Sequence, residues 1–351
     1  MSAPVSAAVS AAVSAPGETA SGEETFGAAR REAPAGAAPG ERAAAKAKLS
    51  ARRRRPRLPP PELARRELAP KGVRWWVGAV VTAISALALA FVAHAAVFSH
   101  LQHGRAQTLA YQDLRSALAK AEAPTGQLDI NEELTPLGTP VALLEIPAIG
   151  LSEVVLEGST ASVLRGGAGH RRDSVMPGQV GTAVILGRQA TYGSPFADLK
   201  SLVPGDQITL TTGQGVATYR VFALRRAGDP MPEELRSGQG RLELMTADGL
   251  ALAPSGVLHI DAELVTQAHD SSSRVMAYAA LPAAERAMGQ DHAAWFIAFF
   301  IAVFCAALAG GVWWLWRSWG RREAWLIGLP VLLALGVTAA DSIMNALPNL
   351  L

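Results

Sequence analysis

The chain reads Leu144-Glu145-Ile146-Pro147-Ala148-Ile149-Gly150-Leu151 at the start of a region whose pattern differs from what precedes it. In this stretch an apolar run stops at a proline, and a glycine leads into the next apolar run. Such a sequence is typical of a β-strand, a turn and a second strand. The same pattern of short β-rich runs between glycine and proline turns continues from about Val141 to Val265. The region is therefore predicted to be mainly β.

The strands of this region can be placed from their β-branched and apolar residues. We expect them at Val141 to Ile146, Val154 to Glu157, Thr182 to Leu186, Gln207 to Thr212, Ala217 to Leu224, Leu242 to Thr246 and Val257 to Leu264. The run Gly213-Gln214-Gly215 between two of them predicts a hairpin turn. Seven to eight short strands in one region predict a compact sandwich or closed β-barrel.

Several motifs follow one another in this region in a fixed order. They are Ile-Pro-x-Ile-Gly at residues 146–150, Leu164 to His170, Pro177 to Thr182, Val184 to Gly187, Thr191 to Phe196, and Pro204 to Asp206. Together they resemble the sortase family, and Tyr192-Gly193-Ser194-Pro195-Phe196 is similar to the class E type of actinobacteria. The resemblance implies a sortase-like closed β-barrel, exported from the cytoplasm, which we place at residues 138–267.

Sortases cut a Leu-Pro-x-Thr-Gly sorting signal and pass the acyl group to a cell-wall amine. The resemblance implies a cysteine nucleophile, a histidine acid/base and an oxyanion-binding arginine, and the matching positions here are Ala247, Arg188 and Val257. A methyl group cannot attack a carbonyl, and a guanidinium keeps its proton at neutral pH. No arginine occurs between Arg241 and Arg274. Because little covalent mechanism remains without these groups, the sequence predicts a pseudoenzyme.

Three neighbouring side chains provide an alternative reading, a divergent transpeptidase or hydrolase. Thr246 and Ser255 carry hydroxyls near the nucleophile position, although hydroxyl nucleophiles need an activating base. His259 follows Val257 by two residues and is therefore expected on the same face of its strand. The acidic residues and histidines show no metal-ligand spacing, so we expect no metal and no cofactor.

Apolar runs outside the β region predict three membrane helices, at residues 74–99, 293–316 and 324–347. Arginines precede the first run and lie between the second and third, as Arg317, Arg321 and Arg322. By the positive-inside rule these arginines are cytoplasmic, which places the N-terminus inside and the sortase-like domain outside. We therefore expect a multi-pass protein of the cell membrane.

The remaining segments complete the predicted organisation. Residues 1–73 are expected to be a disordered cytoplasmic tail, because this segment has few large apolar residues, and it carries a basic run at 52–57. Residues 100–137 are predicted as a helical stalk and linker, and residues 268–292 as a second linker. The net charge of +2 gives no electrostatic case for nucleic-acid binding. The single cysteine, Cys305, excludes an internal disulfide and is expected to pack within its span.

A sortase-like barrel that lacks the catalytic cysteine, histidine and arginine predicts a binding or scaffolding role in anchoring or assembling cell-envelope proteins. The expected partners are the membrane and a sorting-signal peptide, an active sortase or a cell-envelope protein. A third reading is a structural subunit of a membrane complex, in which Trp313, Trp314, Trp316 and Trp319 form an interfacial belt.

Overall fold

The computed structural model describes residues 72–129, 131–251, 253–273, 275–318 and 321–351. The predicted tail of residues 1–73, with its basic run at 52–57, lies outside the described residues apart from Gly72 and Val73. Arg274 and Trp319 also lie outside them.

The first described element is a long helix in three parts. Helix α1 (Val73–Ala93) passes through a five-residue π-helical turn (His94–Phe98) into helix α2 (Ser99–Lys120). The helix ends where Ala121 adopts a left-handed backbone with φ of 58°, and that residue's N–H donates back to the last turn.

Helix α2 packs against the β region through one face. Ala110 and Leu114 join Val154 and Leu156 in an apolar cluster. Beside them, the Gln107 amide accepts a hydrogen bond from the Val154 N–H at 2.7 Å and donates to the Val154 carbonyl at 3.1 Å. This side chain therefore replaces a strand partner for Val154 and fixes the helix against the sheet.

Eight strands close into a barrel. They are β1 (Pro140–Ile146), β2 (Leu151–Glu157), β3 (Gly169–His170), β4 (Gly181–Leu186), β5 (Gln207–Thr212), β6 (Gly215–Arg225), β7 (Gly240–Leu250) and β8 (Ala253–Leu264). Their order is β1-β2-β3-β4-β7-β8-β6-β5, and β5 pairs with β1 to complete the circle. The pairs β2–β3 and β4–β7 are parallel, and the others are antiparallel. The predicted mainly-β closed barrel is confirmed, as is the hairpin between β5 and β6.

Strand β3 was missed by the sequence analysis. It has only two residues, Gly169 and His170, which pair with β2 on one side and β4 on the other. Two residues show no alternation of apolar and polar side chains, so the signal that located the other strands is absent here.

The alternation of side chains along β7 separates two apolar clusters. Leu242 and Leu244 belong to the main core inside the barrel, with residues such as Ile208 of β5. Met245 and Ala247 belong to a second cluster. Because successive side chains of a strand point to opposite faces, this second cluster lies on the outer face of β7.

The described residues form three further α-helices outside the strands: the single turn α3 (Ala161–Leu164), and the long helices α4 (His292–Ser318) and α5 (Arg321–Ala346), which pack on each other. Within the described part of the chain, Ala293–Gly311 is the one helical stretch long and apolar enough to cross a bilayer. Helices also occupy the other two predicted spans. The Cys305 Sγ lies 3.6 Å from the carbonyl oxygen of Leu335 on α5.

Candidate functional site

The three positions at which the sequence predicted lost catalytic groups lie together in the structure. Ala247 on β7 and Val257 on β8 are directly opposite in the antiparallel pair, so their side chains share one face. Arg188 follows the end of β4, where Leu186 lies opposite Met245 of β7. The three positions therefore converge at one end of the barrel, on the outer face of β7.

The surface at this point is apolar and covered. Ala247 is only 1% exposed and packs in the second cluster with Leu164, Val184, Leu186, Met245 and Leu350. Leu350 comes from the segment that follows α5, and it is fully buried. The position that would carry the nucleophile is thus an alanine within an apolar cluster that includes a leucine from the far end of the chain.

Arg188 is also buried, with 1% of its surface exposed. Its Nη1 donates to the Leu351 main-chain oxygen at 2.7 Å and to Thr191 Oγ1 at 3.3 Å, while its Nη2 donates to the Ala161 carbonyl at 2.8 Å. The guanidinium lies 4.9 Å from the centre of the Tyr192 ring. Burial lowers the pKa of Arg188 to about 10, so the side chain remains a cation and a donor at neutral pH. It cannot serve as the proton acceptor that the histidine position would require.

Tyr192 connects the neighbouring loop to α5. Its hydroxyl donates to Asp341 Oδ1 at 2.7 Å, and the Arg165 guanidinium donates to Oδ2 of the same carboxylate at 2.7 Å. Burial and the hydrogen bond to Asp341 hold the pKa of Tyr192 well above its ordinary value. Asp341 on α5 therefore links that helix to the barrel region.

The segment after α5 adds its main chain to the site. The Gln189 N–H donates to the Leu350 carbonyl at 2.9 Å, and Thr191 Oγ1 donates to the Leu351 oxygen at 2.6 Å. We call residues 348–351 the tail segment. The sequence analysis missed it, because it ended the third span at residue 347 and gave the residues beyond no role.

Asn349 fixes the tail segment from the other side. Its N–H donates to the Gly289 carbonyl at 3.0 Å. Its side-chain amide donates to the carbonyls of Ser159 at 2.7 Å, Arg286 at 2.9 Å and Ala284 at 3.3 Å. The predicted linker at residues 268–292 therefore forms one wall of the site.

The structure does not bring together the three side chains of the alternative enzymatic reading. Thr246 is buried and, being adjacent to Ala247 on β7, faces the opposite side of the strand; its hydroxyl has no hydrogen-bond partner among the described residues. Ser255 is exposed in the β7–β8 hairpin and donates weakly to the Asp248 carbonyl at 3.4 Å.

His259 lies on the same face as Val257, as the spacing predicted, but its partner is a carboxylate. Its Nδ1 is 2.7 Å from Glu243 Oε1, and Arg225 donates to Glu243 at 2.9 Å and bonds Asp261 as well. Burial alone would raise the pKa of Glu243, but the hydrogen bond from His259 and the nearby positive charges lower it on balance. This group is an ion-pair network between β6, β7 and β8.

Another histidine, His170, is fully buried and is held by the barrel itself. His170 Nδ1 is 2.8 Å from Glu157 Oε2, and its Nε2 is 2.9 Å from the Val175 carbonyl. Ser174 Oγ is 3.1 Å from the same nitrogen, but it also donates to Arg171 O and accepts from Val184 N, so it is fully engaged. Although burial opposes it, the charge of Glu157 raises the pKa of His170. The arrangement joins β2, β3 and β4 and leaves no free nucleophile.

Comparison with known proteins agrees with the barrel and its motifs. Residues 144–248 match the family model described as a sortase domain. Sortase D of Bacillus subtilis (strain 168) is 34% identical over 84 residues, which are 24% of this chain and 41% of that protein. The chain therefore matches less than half the length of this curated relative.

Two solved structures are similar as well. Sortase E from Streptomyces avermitilis is 30% identical, and the match covers 43% of this chain and 100% of that one, with a TM-score of 0.33. A sortase D5 transpeptidase from Clostridium perfringens is 20% identical, over 46% of this chain and 99% of that one, with a TM-score of 0.39.

Proposed function

We propose that the protein, whose residues 144–248 match the sortase domain model, is a membrane-anchored, extracytoplasmic sortase-like pseudoenzyme that binds or scaffolds envelope components. The observation that carries this proposal is the convergence of Ala247, Arg188 and Val257 at one apolar, covered point. A site for acyl transfer needs an activated nucleophile and donors directed at the developing oxyanion. This one supplies a methyl group, a guanidinium engaged with carbonyls, and an isopropyl group.

Binding is chemically well supported at the same point. The walls of the site present the Gln189 N–H, the Gly289 carbonyl and side-chain donors at Arg188 and Thr191, all of which bond main-chain atoms of the tail segment. Main-chain pairing with apolar pockets is a general way of holding an extended peptide. We therefore propose a peptide or an envelope protein segment as the ligand, with the sorting-signal class as the first candidate.

The membrane placement rests on the helices. Ala293–Gly311 is apolar, and Phe296, Phe299 and Phe300 on it are more than 60% exposed. Exposed aromatic side chains in such number are expected against lipid rather than water. We propose that α1 and α5 also cross the membrane, with the arginines at 317, 321 and 322 in the cytoplasm and the barrel outside.

Incubation of the purified full chain with a Leu-Pro-x-Thr-Gly peptide and an amine acceptor tests the loss of catalysis. We expect no cleavage and no transfer product by mass spectrometry. Cleavage that disappears on Thr246→Val or Ser255→Ala would instead establish the divergent enzyme. Failure of sorting-signal peptides to bind saturably, together with no envelope partner in pull-downs, would contradict the binding role.

Labelling of single cysteines in intact cells tests the topology. On a Cys305→Ser background, a cysteine at exposed Ser255 is expected to react with a membrane-impermeant maleimide from outside. A cysteine that reacts only after the membrane is permeabilised would place the barrel in the cytoplasm and contradict the proposed orientation.

A further inference from the structure

The tail segment enters the site with its side chains buried and its main chain bonded. Asn349 and Leu350 are fully buried, and Leu351 is 5% exposed. Gln189, on the loop after β4, donates a hydrogen bond to the tail segment, and the Gly289 carbonyl, on the linker, accepts one from it, so the segment lies between two walls. A segment held on both sides in this manner is bound as a separate peptide would be, although it belongs to the same chain.

We propose that the vacated sortase site is a binding site for a short peptide of the type Asn-Leu-x, and that residues 348–351 of this chain occupy it in cis. This inference rests on the proposed non-catalytic function and adds to it the ligand and its control. The site has three recognisable parts.

The first part recognises asparagine. The Asn349 amide donates to three main-chain carbonyls, of Ser159, Arg286 and Ala284. An amide nitrogen has two N–H donors, whereas an aspartate carboxylate only accepts. Aspartate at this position would place a charge against carbonyl oxygens, so the site selects an amide over an acid.

The second part is the apolar floor. Leu350 fills the cluster that contains Ala247, Leu186 and Met245. The small side chain at 247 is one of those that line the space for the leucine. A polar residue at position 350 would be buried without a hydrogen-bond partner there, which is costly.

The third part is Arg188, which binds the main-chain oxygen that follows the leucine. The acceptors within hydrogen-bond distance of its guanidinium are a main-chain oxygen of Leu351, the Thr191 hydroxyl and the Ala161 carbonyl. A buried cation is expensive unless its donors are satisfied. Removal of the tail segment takes away its 2.7 Å acceptor, so the empty site is unfavourable and favours rebinding of a peptide carbonyl.

Occupancy in cis has a direct consequence for peptides in trans. A peptide that binds this site must displace the tail segment, which is tethered and therefore present at high effective concentration. We expect the unsubstituted chain to bind added peptide at least about tenfold more weakly than a chain whose tail segment is impaired.

The first experiment measures whether the tail covers position 247. In the full chain in mild detergent, on the Cys305→Ser background, a reporter cysteine is placed by Ala247→Cys and its maleimide reaction rate is followed. Asn349→Asp or Leu350→Ser is expected to raise that rate at least about tenfold, and the matched control Leu250→Ser, at an exposed leucine, to leave it unchanged. An unchanged rate in both tail variants would overturn the proposal.

The second experiment uses a fluorescent acetyl-Ala-Leu-Pro-Asn-Leu-Leu-amide peptide, the sequence of residues 346–351. We expect saturable binding to the Asn349→Asp chain, weaker binding to the unsubstituted chain, and loss of binding when Arg188→Gln is added. Should Arg188→Gln disturb folding by circular dichroism, Thr191→Val replaces it, because it removes the 2.6 Å donor to the same oxygen.

The outcomes separate this inference from the function on which it rests. Equal binding to the Asn349→Asp and unsubstituted chains, or binding that survives both Arg188→Gln and Thr191→Val, would overturn the peptide site as drawn. Cleavage of a sorting-signal peptide by the chain would overturn the non-catalytic function, while the labelling result would still report on the tail.

Discussion

His170 and Arg188 are both fully buried basic side chains of the barrel region, but their surroundings are opposite. His170 is paired with the carboxylate of Glu157, within the barrel. Arg188 is surrounded by carbonyl and hydroxyl oxygens and an aromatic ring, and one of those oxygens belongs to the tail segment. Asp341, an acid of the same region, bonds Tyr192 and Arg165 instead. All hydrogen-bond partners named for His170 thus belong to the barrel region, whereas Arg188 takes one partner from the tail segment.

The largest expected effect comes from breaking the self-contained pair. Glu157→Gln keeps the shape but leaves the buried His170 without its charge partner, which costs about 3 kcal/mol of unfolding free energy. Chemical unfolding of the full chain in mild detergent measures it. The matched control is Asp248→Asn, which removes the acid of the more exposed pair with Arg226 and is expected to cost less than about 1 kcal/mol. Equal losses in the two variants would show that the His170 pair is not special.

The same pair predicts a pH dependence. Because Glu157 raises the pKa of His170 above its ordinary value of 6.5, the folded state binds the proton more tightly than the unfolded state. The resulting stabilisation is complete below pH 6.5 and is lost as the pH rises through the folded value. Thermal unfolding midpoints measured from pH 6 upward are expected to fall in the unsubstituted chain and to stay nearly level in Glu157→Gln. Parallel curves would contradict the assignment to His170.

A smaller loss of unfolding free energy is expected when the tail segment is weakened. Asn349→Ala removes the donors to three carbonyls without introducing a charge, and we expect a loss of about 2 kcal/mol in unfolding free energy. Asn131→Ala, at an exposed asparagine that contacts Asp129, is the control and is expected within about 0.5 kcal/mol of the unsubstituted chain. No difference between the two would indicate that the tail adds nothing to stability.

The smallest effect concerns the network around His259. His259→Gln retains a partner for Glu243, and Arg225 still neutralises that carboxylate. We expect a change below about 1 kcal/mol and no change in peptide binding, since these groups do not touch the tail segment. Loss of peptide binding in this variant would show that His259 contributes to the peptide site.

The barrel itself was predictable from the sequence because its signals are local. Alternation along β7 places Leu242 and Leu244 inside, and the glycine-rich turn between β5 and β6 marks a hairpin. The register that sets Ala247 opposite Val257 follows from the tight connection of β7 to β8, so neighbours in the predicted site are neighbours in the structure.

The occupation of the site by the tail segment was not predictable from local sequence patterns. The bond from Arg188 to Leu351 joins residues 163 positions apart, and the one from Tyr192 to Asp341 joins residues 149 apart. No periodicity or turn pattern encodes contacts of that range. Asn349 and Leu350 lie beyond the predicted end of the third span and carry no local signal. Their contacts arise only because the fold brings the carbonyls of Ser159 and Arg286 together around Asn349.

The π-helical turn between α1 and α2 determines which face of α2 points toward the barrel. One extra residue in a helical turn advances the following residues by about 100° relative to an uninterrupted α-helix. Directly after the π-helical turn, Ser99 Oγ accepts a hydrogen bond from the Tyr192 N–H at 3.3 Å. About two turns further along α2, Gln107 accepts one from the Val154 N–H of β2. Both contacts depend on that rotation. The turn therefore acts as an angular adjustment, and the loss of a single residue there would rotate the Gln107 face away from the barrel.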